Sequence, residues 1–92
     1  MNKANYISID GFTRSKAEDE IIDQNMASLF GTPTGGEVLR YLRSVTIEAV
    51  SGANISDAEL RHLEGMRFLV ALIERRIATG HKVKSNGKSR SS

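Results

Sequence analysis

Ninety-two residues, 39% of them hydrophobic and 26% charged, make one small domain at most. With both tails set aside the foldable part is about 65 residues, a core that rarely supplies more than roughly 3–5 kcal/mol by itself, so association with further copies or a larger partner is expected. The absence of cysteine excludes disulfide staples and thiolate metal sites, and two widely separated histidines, His62 and His81, do not make a zinc set. The formal charge of +2 conceals a split: residues 1–80 carry nine Lys/Arg against eleven Asp/Glu, whereas residues 81–92 carry four basic groups and no acid.

Residues 1–15 show little helical pattern. Tyr6, Ile7, Ile9 and Phe12 are spread around the turn dipeptide Asp10-Gly11. This predicts an extended N-terminal arm, either a loosely held terminus or a segment whose apolar groups drape over a neighbouring subunit. Ser15 and Glu18 form a capping box, and Glu18, Asp19 and Glu20 place negative charge where a helix dipole favours it, so a helix starts at residue 16. Ile22, Met26, Leu29 and Phe30 fall within about 100° of one another, a single narrow apolar stripe. Gly31 ends this first helix near residue 30.

Thr32-Pro33 is a helix-entry signature, with Thr as cap and Pro at the first helical position. Gly35 and Gly36 complicate it, since each costs about 1 kcal/mol relative to alanine inside a helix. Either the helix begins only after them, or another backbone comes close enough to require them. Over residues 36–50 the pattern is amphipathic, with Val38, Leu39, Tyr41, Leu42, Val45, Ala49 and Val50 opposite Glu37, Arg40, Arg43, Ser44 and Glu48. Ser51-Gly52 marks its end, and the short connection through Ile55 predicts an antiparallel hairpin with the next helix.

That third helix, residues 56–79, is the longest periodic run. Ser56 and Glu59 form its capping box, Gly80 is placed to terminate it, and Arg75 and Arg76 lie near the end where cations suit the dipole. Leu63, Met66, Leu69, Val70, Leu72, Ile73 and Ile77 cover an arc of roughly 180°, more than one neighbouring helix can bury. Gly65 interrupts the pattern. It reads as a gap into which Val38 or Leu42 presses, or as a recognition groove. Beyond Gly80 there is no apolar periodicity, which predicts a disordered basic tail over 81–92.

No hydrolase, kinase, metal or nucleotide motif is present, so the chain reads as non-enzymatic, with no catalytic, cofactor or metal residues. Thr-Pro-Thr-Gly-Gly lacks both the Gly-Lys-Ser/Thr and the preceding strand of a phosphate loop, and His62 reads as a solvated or core-edge residue. Glu64 and Arg67, three apart, form a solvated pair or an interface contact. The protein-interface candidates are Tyr6, Ile7, Ile9, Phe12, Gly65, Arg67 and Phe68. Lys82, Lys84, Lys88 and Arg90 are the nucleic-acid candidates, able to neutralise about four phosphates without reading sequence. Groove reading by the third helix is disfavoured by its apolar middle and by Asp57 and Glu59 in its first turn. No run approaches the roughly 20 apolar residues of a membrane span, and the N-terminus has no signal-peptide character, which predicts a protein made in a cytoplasm without membrane partners.

Two motifs carry a family resemblance: Phe30-Gly31-Thr32-Pro33-Thr34-Gly35-Gly36-Glu37-Val38-Leu39, and His62-Leu63-Glu64-Gly65-Met66-Arg67-Phe68-Leu69-Val70. In their order and spacing they resemble a family of small proteins of tailed bacteriophages, the Bordetella-phage-type small domains. The likeness spans about residues 30–80. Gly36 stands where many relatives carry a basic residue and Met66 where glutamine or arginine is usual, so a polar site at these positions is not among the shared features. The resemblance implies a phage product associated with head or neck genes, and brings no catalytic residue with it. The combined expectation is an all-α domain: a hairpin of residues 36–50 and 56–79 with a shorter helix near 16–30, an N-terminal arm (1–15) and a basic tail (81–92). Its expected role is that of a virion or assembly protein that binds a portal or neck protein, as a homo-oligomer or in ring-bound copies. Nonspecific DNA packaging or regulation of a host protein are the alternatives.

Overall fold

The computed structural model describes the backbone of residues 5–91 and the side chains of residues 5–82. Two short strands, β1 (Tyr6–Ile7) and β2 (Thr13–Arg14), precede three helices, α1 (Lys16–Phe30), α2 (Pro33–Ser44) and α3 (Asp57–Ser91). Mostly helical architecture is thus as expected, but the N-terminal segment is a hairpin and not an extended arm. Tyr6 pairs with Arg14 and Ile7 with Thr13 in antiparallel register. Gly11, at φ 86°, takes the left-handed position of the turn, which glycine occupies without steric cost. Asp10 stabilises the same turn by accepting the Phe12 N–H at 2.9 Å.

The helix starts follow from their caps. Ser15 Oγ accepts the Glu18 N–H at 3.1 Å while Glu18 accepts the Ser15 N–H at 2.8 Å, and Ser56 and Glu59 repeat the arrangement at 3.1 and 3.0 Å. Thr32 Oγ1 accepts the Gly35 N–H and donates to the Leu29 carbonyl, both at 2.9 Å, tying the start of α2 to the end of α1. Gly35 lies inside the first turn of α2, and a β-carbon there would overlap the Leu29 carbonyl oxygen; close backbone approach is the reason for this glycine. Gly36 meets nothing within 4 Å.

Four expectations are corrected by the packing. First, α2 runs from Pro33 to Ser44 and not over residues 36–50, so both glycines lie within its first turn. Ser44 and Thr46 hydroxyls donate to the carbonyls of Tyr41 and Leu42, a side-chain competition with the backbone that favours a helix end. Second, the main helix contact joins α1 to α3, with α2 laid on by smaller contacts, so an α2–α3 hairpin is not the organising unit. Third, α3 does not end at Gly80 but continues to Ser91, so the backbone beyond Gly80 is helical where the sequence predicts disorder. Gly80 is buried: a β-carbon would overlap the Asp23 carbonyl oxygen and approach the Ala27 β-carbon to 2.8 Å, so the glycine permits close packing of α1 on α3. Fourth, Gly65 is not a packing gap for α2, since nothing lies within 4 Å of its would-be β-carbon.

The buried line of α1 is Asp19, Asp23 and Ala27, spaced four apart, and not the expected stripe through Ile22, Met26, Leu29 and Phe30. Among the described residues the buried apolar side chains are Ala27 and Val70, while Ser8, Asp19, Asp23, Thr46 and Arg76 are buried polar groups. The interior is held by charge and hydrogen bonds more than by apolar volume.

Candidate interaction surface

Arg76, 3% exposed, sits at the junction of the hairpin, α1 and α3. Its guanidinium donates to Asp23 Oδ1 at 2.8 Å, and to Ser8 Oγ and Asp10 Oδ2 at 3.1 Å each, and pairs with Asp19 Oδ1 at 3.1 Å. Ser8 Oγ donates to Asp19 at 2.8 Å, and the Tyr6 hydroxyl donates to the other Asp19 oxygen. Arg14 closes the outside of the cluster on Asp10 at 2.7 Å and lies 5.5 Å from the centroid of the Phe12 ring. Hydrogen bonds from Arg14 and the Phe12 amide hold the Asp10 carboxyl down at about 2. At Asp19 burial favours the neutral form, but bonds from Tyr6, Ser8 and Arg76 outweigh it and keep the group below the usual carboxylate range. Arg76 is raised in turn: its desolvation is overcome by Asp23 and Asp19. The bond to Asp19 pushes the Tyr6 hydroxyl up.

This cluster fixes the hairpin to the helices and thereby positions the N-terminal interface candidates. The apolar parts of Tyr6, Ile7, Ile9 and Phe12 remain outward, Ile7 being 69% and Phe12 66% exposed. Arg67 is not a free contact residue. Its Nε donates to the Thr46 carbonyl at 2.8 Å and one terminal nitrogen to the Ala49 carbonyl at 2.7 Å, clamping the chain where α2 ends, while the other pairs with Glu64 at 2.8 Å. Arg43 adds a second tie, to Glu74 of α3 at 2.6 Å. Gly65 and Phe68 share an open face of α3, with Phe68 60% exposed. Lys82 is exposed, whereas the side chains of Lys84, Lys88 and Arg90 lie outside the described residues.

A further apolar stripe runs along α2 to its C-cap, where Val38, Tyr41 and the capping Val45 recur at helical spacing and Tyr41 is 64% exposed. The molecule exposes 6734 Å², against about 5,300 Å² for a compact monomer of its mass. Its radius of gyration is 16.4 Å, against about 12 Å for a compact chain of this length. Much of that extension is α3, whose 35 residues match the longest dimension, 54 Å.

Sequence reasoning missed the Arg76 cluster. The available signal was Asp19, Asp23 and Ala27 at intervals of four, with Arg76 interrupting an aliphatic face of α3; their acids and base read more simply as dipole partners. No described helix is long and apolar enough to cross a membrane, and the described residues hold no group of three or more potential metal ligands. The sequence model of the Bbp19-like phage proteins matches residues 26–83, from the middle of α1 to just past Gly80. That stretch includes Gly35, Gly65, Arg67, Phe68 and Arg76, but not the hairpin or Asp19 and Asp23. No curated protein and no solved structure matched the chain.

Proposed function

The chain belongs to the Bbp19-like phage protein family, and from that premise we propose that it is a non-enzymatic virion or assembly component that binds another phage structural protein at the portal or neck. The observation that supports this reading is the placement of apolar side chains outward on elements fixed from beneath. Ile7 and Phe12 project from a hairpin whose other side is tied to Arg76, so a partner meets a preordered surface and little entropy is lost on binding. Several copies around a symmetric portal, assembled in the host cytoplasm and retained in the virion, fit a small domain with little apolar interior.

Co-sedimentation of the purified full chain with portal and neck assemblies tests this. The double variant Ile7→Ser, Phe12→Ser leaves the Arg76 cluster intact and weakens capture at least about tenfold, as for loss of exposed apolar anchors at an interface. Failure of the wild-type chain to bind portal or neck proteins refutes the assignment. A second reading, nonspecific DNA contact during packaging, is favoured by the four basic residues and no acid among residues 81–92. It requires that truncation before His81 abolish DNA binding, together with a logarithmic salt slope of about −3.6.

A further inference from the structure

We propose that a second copy of this chain docks antiparallel on the open face of α3, with Phe68 of each protomer seated over Gly65 of the other. Ala58, Gly65 and Leu72 recur every seven residues, and Arg61, Phe68 and Arg75 lie three residues after each, so the six form one heptad seam along α3. Ala58, Arg61, Gly65, Phe68 and Arg75 are exposed and Leu72 is half-buried, so the protomer's own packing leaves the seam open. A glycine in mid-helix costs about 1 kcal/mol relative to alanine, and here nothing within 4 Å makes use of it.

The occupant follows from the shape and charge of the seam. Hole and knob lie one turn apart on the same face, and antiparallel helices oppose the first core position of the heptad to the fourth. One two-fold axis between Gly65 and Phe68 therefore fills both holes with both rings. The same axis sets Arg61 beside Leu72 and Ala58 beside Arg75, letting the aliphatic stems of the arginines cover apolar surface while their charges reach water. A parallel copy would oppose Gly65 to Gly65 and Arg61 to Arg61, leaving a void and a like-charge contact.

Sedimentation equilibrium of the full chain alone, over a range of concentrations, reads the self-association directly and does not depend on portal binding. The wild-type chain is expected to dimerise reversibly. Gly65→Ala should raise the helicity and thermal stability of the dilute monomer yet weaken dimerisation at least about tenfold, because a methyl group enters both seats. Phe68→Ala should weaken it by at least as much. A wild-type chain that stays monomeric at all concentrations, or a Gly65→Ala protein that dimerises as tightly as wild type, overturns the proposal. Because Gly65→Ala removes no packing within the protomer, its loss of dimerisation does not arise from misfolding.

Discussion

Replacing Arg76 by methionine keeps most of the side-chain volume and removes the one cation shared by Asp10, Asp19, Asp23 and Ser8. Breaking a buried ion pair from one side costs about 3–5 kcal/mol, because the remaining charges stay desolvated and uncompensated. That equals the whole stability expected of a domain this small, so the variant should be close to half unfolded at neutral pH and recover only in stabilising conditions. The pH dependence gives a sharper test, because its sign reverses. In the wild type, Asp10 and Asp19 have folded values below their unfolded ones, so their contribution is fully present above about pH 4. It is lost as pH falls toward the folded value of Asp10, about 2. In Arg76→Met, Asp19 lacks its cation in a buried setting and binds a proton more readily when folded, whereas Asp10 stays held by Arg14 and the Phe12 amide, so stability should rise from pH 7 to pH 5 through Asp19. Urea unfolding followed by circular dichroism across that range measures both slopes. A variant with wild-type stability, or with the wild-type flat profile between pH 7 and 5, refutes the claim that the cluster holds the fold together.

Other outcomes follow from the same contacts. Gly80→Ala should lower stability by about 1–3 kcal/mol in urea titration, since its methyl group meets the α1 backbone, whereas Gly36→Ala should gain about 0.4–1 kcal/mol. Arg67→Ala removes a charged donor from two carbonyls and should cost about 1.5–3 kcal/mol, with faster amide exchange confined at first to residues 45–56. If exchange there stays as slow as in the wild type, Arg67 does not clamp the end of α2.

The parts of the fold legible in the sequence are those written in local chemistry. Capping boxes at Ser15 and Ser56 and the stop at Gly31 fixed three helix boundaries, because each depends on hydrogen bonds across a few residues; the Thr32-Pro33 entry was legible too, yet Gly35 and Gly36 moved the expected start of α2 to residue 36. The hidden parts depend on which helix meets which. Gly80 looks like a helix stop until Asp23 and Ala27 are seen against it, and Gly65 looks like a packing gap until its surroundings prove open. Arg76 and Asp19 each had a sufficient local explanation as charges near helix ends, so nothing in the sequence demanded that they meet across 57 positions. Among the interface candidates Phe12 and Phe68 are exposed, while Arg67 is occupied within its own chain.

The most direct test of the structural-protein assignment is quantitative mass spectrometry of purified particles of the encoding phage, counting this chain against the portal and major capsid proteins. The account predicts copies in a simple ratio to the portal, surviving stringent washing. Absence from mature particles and from assembly intermediates alike would contradict it and leave regulation of a host protein as the better explanation.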